Sequence, residues 1–192
     1  SAASDVYKRQ IYLRGNHEEY FLQFLQSPED WYAPYMRNGG KETFESLIHP
    51  GASEEYSPTE ISMMIQSRYS ELIKFLVQRP LYYEWENYLF VHAGVDLTKK
   101  DWRKTSLRDF IWIREPFHEG KNNTGKTIVF GHTITPMLHG DMQTTDLWIQ
   151  DHKIGMDGGA VFGGSLHGVV FDKEGILQDI EYQNNEGPWH GI

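Results

Sequence analysis

Histidine is the side chain best suited to ligate a metal or move a proton near neutral pH, and in this sequence it recurs in one setting. In the runs IYLRGNHEE, YLFVHAGV and IVFGHT, a His stands at or just past the end of a short apolar segment with a Gly beside it. Open α/β sheets gather ligands at the carboxyl ends of their strands, and Gly there lets the backbone turn sharply. A lone His of this kind is more often structural. Three such repeats point to His17 or Asn16, His92 and His132 converging on one site. The chain has no Cys, which excludes a disulfide framework, a thiolate zinc finger, an iron–sulfur cluster and a cysteine nucleophile. Any metal must be held by imidazole, amide, carboxylate or water.

These residues need strands and helices to position them. Ile11-Tyr12-Leu13, Tyr88-Leu89-Phe90-Val91 and Thr127-Ile128-Val129-Phe130 read as short strands. Residues 147–149, 153–156, 165–171 and 176–182 read as a C-terminal strand meander, with a hairpin loop at Asp172-Lys173-Glu174-Gly175. Tyr20, Phe21, Phe24 and Leu25 fall at helical spacing, and residues 28–80 read as mostly helical. Ser57-Pro58-Thr59-Glu60 is a capping box with Pro at the first helical position. The helix it opens is expected to carry Ile61, Met64, Ile65, Ile73, Phe75 and Leu76 largely on one side and to stop before Pro80. The expected fold class is α/β, with a helical insert over about 18–79 between strands.

With 18 Lys+Arg against 27 Asp+Glu, the net charge of −9 leaves no basic footprint for nucleic acid. Hydrophobics at 39% are enough for a packed core, and no apolar run is long enough to span a membrane. The expectation is a folded, soluble, cytoplasmic protein. Residues 1–10, SAASDVYKRQ, are polar, lack capping logic and match one reading frame of a transposon-end sequencing adaptor. They read as a non-native tail, with the native domain at 11–192 and an upstream portion missing.

RGNHE at Arg14 to Glu18, HAG at His92 to Gly94 and GHT at Gly131 to Thr133 resemble, in this order, the later motifs of the calcineurin-like metallophosphoesterases. The closer likeness is to the bacterial and phage branch of the serine/threonine phosphoprotein phosphatases. Asn38-Gly39-Gly40, the run from Ile111 to Glu115, and the stretch from Asp157 to Gly164 add to it. The resemblance runs from Ile11 to about Tyr182.

It implies part of a four-layer α/β/β/α sandwich with the helical segment over the site. It further implies that Asn16, His92 and His132 ligate one metal of a two-metal centre, Mn first and Fe or Zn as alternatives. His17 would be the general acid that protonates the leaving alkoxide, and Arg114 would clamp the phosphate oxygens. The implied reaction is hydrolysis of phosphate monoesters by a metal-bridging hydroxide, with phosphorylated proteins or peptides as substrates and a monomer as the working form. The residue types suit that chemistry: cations lower the pKa of bound water, and a guanidinium fork matches a phosphoryl group.

The family's other metal is held by Asp-x-His and a bridging Asp, in GDxHG and GDxxDRG segments upstream of GNHE, and neither occurs here. This chain is therefore expected to be an inactive fragment of an active phosphatase, with part of its core exposed or unpaired. The alternatives are a diadenosine tetraphosphate hydrolase, which shares the motifs, and a non-catalytic remnant that binds partners.

Gly120 to Thr127 satisfies the P-loop pattern, but a β-branched strand follows where a helix is needed, so it reads as a surface loop. Asp157-Gly158-Gly159 reads as a tight turn. Tyr82, Tyr83, Trp85 and Tyr88 read as core and strand packing, and Glu18 and Glu19 as complements to a helix dipole. His49, His118, His139, His152, His167 and His190 read as solvated or structural, with His139 the one nearest a motif.

Overall fold

The structure is a computed structural model that describes residues 10–184, so the reading of residues 1–9 as a foreign tail lies outside the described residues. It divides into two compact units: a helical one, Arg14–Arg79, and a sheet unit formed by residues 10–13 and 80–184. No helix among the described residues is long and apolar enough to cross a membrane.

The helical unit holds α1 (Asn16–Gln26), α2 (Pro28–Met36), α3 (Gly40–Leu47), α4 (Ala52–Glu55), α5 (Pro58–Arg68) and α6 (Ser70–Val77). The start of α1 is fixed by Glu18, whose carboxylate accepts from the Gly15 amide at 2.7 Å, while Glu19 pairs with Arg14. Phe21, Phe24 and Leu25 recur at helical spacing and meet Tyr35, Phe44, Ile61 and Ile65 in an aromatic-rich core. The capping box at Ser57 is formed: the Glu60 amide donates to Ser57 Oγ at 3.3 Å and the Ser57 amide to Glu60 Oε2 at 2.9 Å.

The single helix expected beyond it is broken. Tyr69 leaves the helical region (φ −123°, ψ 34°), and its hydroxyl donates to the Leu47 carbonyl at 2.6 Å. The break re-aims α6, and Phe75 ends 39% exposed in place of joining the buried face.

The sheet unit contains β1 (Tyr82–Trp85), β2 (Tyr88–Val91), α7 (Leu107–Trp112), α8 (Glu115–His118), β3 (Thr127–Phe130), α9 (Thr135–His139), β4 (Trp148–Gln150), β5 (Lys153–Gly155), β6 (Ser165–Phe171) and β7 (Ile176–Gln183). Its mixed five-stranded sheet runs β1-β2-β3-β5-β4, and β6-β7 forms a separate two-stranded sheet. β2, β3 and β5 are mutually parallel, while β1 and β4 close the edges antiparallel. The C-terminal strands are thus not one meander, because β5 pairs with β3 across a crossover. Ile11-Tyr12-Leu13, expected as a strand, is not part of one.

Side chains alternate across the pleat and divide the core in two. On one face Leu89, Val91, Ile128 and Phe130 pack with Val95, Trp102, Phe110, Ile111, Phe117 and Trp148. On the other, Tyr88, Val129 and Ile154 pack with Phe90, Met156, Phe171 and Ile176. Both faces are covered, which is why the central strands read as unbroken apolar runs. An apolar groove of about 470 Å³ stays open on the second face, among Leu13, Tyr83, Trp85, Phe90, Met156 and Phe171.

Candidate functional site

The three parallel strands deliver their carboxyl ends to one edge of the sheet. β2 and β3 are in register through Phe90 and Val129, and the ladder continues one step further, where the Gly131 amide donates to the His92 carbonyl at 2.9 Å. His132 follows directly. Its φ of 66° and the 2.7 Å bond from the Thr133 amide to the Gly131 carbonyl make it the centre of a γ-turn of the rare positive-φ form. A non-glycine residue held there costs about 1–3 kcal/mol, which the surrounding packing must offset.

The outcome is a close imidazole pair: the His92 and His132 ring centroids lie 5.1 Å apart, with planes inclined by 53°. Two imidazoles on one cation, with metal–nitrogen bonds of about 2.1 Å at about 90–110°, hold their centroids about 4.6–5.3 Å apart. The pair therefore fits a shared metal ion. Among the described residues, no group of three His, Asp or Glu is placed to hold one.

Two side chains, one from α7 and one from the residue that caps α8, flank the pair. Trp112 meets His132 edge-on, centroids 5.2 Å apart and planes at 87°. Arg114 donates through Nη1 to the hydroxyl of buried Thr133 at 3.1 Å, which puts its guanidinium beside the GHT turn. The short helix that follows Arg114 is packed tightly under the HAG segment. Gly94 has φ 155°, and a Cβ there would lie 2.5 Å from the Phe117 ring. Only glycine lets the backbone after His92 sit this low over α8.

The end of β5 reaches the same edge, and Asp157 was not singled out from the sequence as a site residue. Its carbonyl accepts from the Thr135 amide at 2.7 Å and its carboxylate from the Gly159 amide at 3.1 Å. The available signal was its place just past the third parallel strand, the context already noted for His92 and His132. The glycines after it build a close backbone crossing: a Cβ on Gly164 would lie 2.1 Å from the Gly158 carbonyl oxygen, and one on Gly158 2.4 Å from that of Ser165. The turn expected over this stretch is present, wound around a 3₁₀ segment at Ala160–Phe162.

His92, His132 and Arg114 are thus brought together within the sheet unit. Asn16 and His17 are the first two residues of α1 in the helical unit, Asn16 buried and His17 exposed.

The P-loop look-alike is a turn before β3. Asn122 donates to the carbonyls of Lys126 and His152, and Lys126 Nζ donates to the Glu86 carbonyl at 2.8 Å and pairs with the Glu84 carboxylate at 3.4 Å. Two of the histidines left as structural have strongly defined surroundings. His167 is bonded at Nδ1 to Asp179 (3.0 Å) and at Nε2 to the Thr145 carbonyl (2.8 Å). Burial pushes its pKa down, but the bonds to Asp179 and Thr145 and the charges of Asp179 and Glu181 outweigh that and raise it. His118 stacks on Phe130 at 5.6 Å, and burial drives its pKa down to about 4. His139 is exposed, with Nε2 3.3 Å from the Asp146 carbonyl, and His190 lies outside the described residues.

Comparison with protein-family models and with curated proteins finds no match for this chain.

Proposed function

We propose that this chain carries the phosphate-clamping and metal-ligating site of a calcineurin-like metallophosphoesterase, of the serine/threonine phosphoprotein phosphatase type. The observation that carries the reading is the His92–His132 pair at the carboxyl edge of adjacent parallel strands, 5.1 Å between rings, with Arg114 anchored to Thr133 beside it. The strained turn at His132 supports a site whose geometry is held against a backbone cost. The helix-covered sheet with a second, two-stranded sheet against its other face is compatible with three of the four layers of the expected sandwich.

His92 and His132 would ligate one ion. When bound, divalent cations make a water nucleophilic at neutral pH and polarise the phosphoryl oxygens. Arg114 does the complementary work. Its fork takes phosphoryl oxygens and offsets the charge that spreads over them in the transition state, and the Thr133 hydroxyl keeps the fork aimed.

Trp112 supplies the test, because its indole lies against His132. Titration of the chain with Co²⁺ should quench Trp112 fluorescence, and Trp112→Phe should remove that component. His92→Ala and His132→Ala should each weaken Co²⁺ binding at least tenfold. Unchanged affinity in both variants would refute the site. For substrate, a phosphothreonine peptide should be turned over faster than diadenosine tetraphosphate. The reverse preference would reassign the substrate class.

A further inference from the structure

Lys153 is 1% exposed, in the first position of β5, at the opposite end of the sheet from the histidines. A buried ammonium ordinarily demands a carboxylate. Here its partners are backbone oxygens: Nζ donates to the carbonyls of Phe117 (3.1 Å), His118 (2.7 Å) and Gly120 (2.7 Å). These are the terminal carbonyls of α8 and the turn after it, where the helix leaves its acceptors unsatisfied and the dipole is negative. The rings of Phe117 and Trp148 lie 5.6 and 5.9 Å from Nζ and add cation–π attraction. All three hydrogens of the ammonium are used, all on the end of this short helix and the turn that follows it.

The other end of that helix is Arg114. α8 is a single turn of four residues, about 6 Å long at about 1.5 Å per residue, so a shift at its last carbonyls is passed on to its first residue. Phe117, fully buried and edge-on to Phe130 at 5.0 Å, fixes the middle of the turn. We propose that Lys153 is a positioning residue for Arg114: by clamping the carbonyl end of α8 to β5, it sets where the guanidinium stands beside Thr133 and the imidazole pair. The proposal rests on the reading of Arg114 as the phosphate clamp. A lysine suits the task because its point charge serves three divergent carbonyls, where a planar guanidinium would not.

The test uses the full chain and two readouts. The first is the ¹⁵Nε–¹H signal of Arg114, identified by its loss in Arg114→Ala, with its order and its contact to Thr133 followed by relaxation and NOE. The second is binding of inorganic phosphate by calorimetry. Lys153→Met keeps the stem and removes the donors. It should leave the far-ultraviolet circular dichroism unchanged, abolish the Arg114–Thr133 NOE and weaken phosphate about tenfold. The double variant with Arg114→Ala should bind no more weakly than Arg114→Ala alone.

A wild-type Arg114 signal in folded Lys153→Met, or additive losses in the double variant, would overturn the proposal. Should Lys153→Met not fold, Lys153→Gln, uncharged and cheaper to bury, is judged by the same criteria. Failure of both to fold would also overturn it, assigning Lys153 to stability alone. If the wild-type chain binds no phosphate, the clamp reading falls, and the Arg114 signal still decides whether Lys153 positions it.

Discussion

Replacing Gly94 by alanine asks whether the backbone after His92 and the helix after Arg114 are a single packed unit. The new Cβ would lie 2.5 Å from Phe117 Cδ1, 2.6 Å from Cγ and 2.9 Å from Ile113 Cγ2, at a backbone φ of 155°. The Phe117 ring cannot swing aside, because it is fully buried against Phe130 and under the sheet. The dihedral strain is about 1–3 kcal/mol and the overpacking about 1–3 kcal/mol, so Gly94→Ala should cost about 2–6 kcal/mol. Urea unfolding followed by tryptophan fluorescence measures it. Phe117→Ala alone should cost about 3–5 kcal/mol through the cavity it leaves. If the clash is the cause, the alanine at 94 fills part of that cavity, and the double variant should be at least about 1 kcal/mol more stable than additivity allows. Strict additivity, or a Gly94→Ala cost under about 0.5 kcal/mol, would refute the packing argument.

Two pH predictions follow from histidines in the sheet unit. The folded pKa of His167 is raised above its ordinary 6.5, so its contribution is fully present below pH 6.5 and is lost as pH rises through the folded value. Asp179→Asn should remove that alkaline loss and about 1–3 kcal/mol of stability at pH 6, measured by urea midpoints across pH 5–9. His118 behaves in the opposite sense. It is held neutral, with a pKa of about 4, so the unfolded chain takes up the proton first and stability falls as pH drops from 6.5 toward 4, by at most about 3 kcal/mol. His118→Phe, which keeps the stack on Phe130, should flatten the stability profile over that interval. A profile that falls as steeply as wild type would place the acid sensitivity elsewhere.

The elements that could be read ahead were those whose signal is local. The capping box at Ser57 and the hairpin loop at Asp172 are set by a few adjacent side chains, and both are present. β2 and β3 were legible because a strand buried on both faces is apolar throughout. Pairing was not legible. That β5 joins β3 and not a C-terminal meander depends on a crossover through α9, and nothing within residues 153–156 encodes it. The break at Tyr69 was hidden for a similar reason: its hydroxyl is drawn to a carbonyl on another helix, and residues 58–79 keep helical spacing through the break. Ile11-Tyr12-Leu13 has strand composition and forms no strand, a reminder that β propensity depends on context and does not by itself make a strand.

The site divides along the same line. His92 and His132 sit where apolar runs end at glycine, so their type and place were both visible, and the parallel register makes them neighbours. Lys153 gave no signal, since a lysine in a short strand reads as solvent-facing until three carbonyls are found around it. Yet the two kinds of residue are mechanically joined. The imidazole pair fixes a point on the strand edge, the Arg114 guanidinium is anchored to Thr133 beside it, and the residue that carries it caps a helix too short to hold its own direction. α8 is therefore held at three places: Thr133 at its start, Gly94 pressing on Phe117 at its middle, and Lys153 at its end. A change at any one of them should move Arg114 relative to the histidines without touching either imidazole.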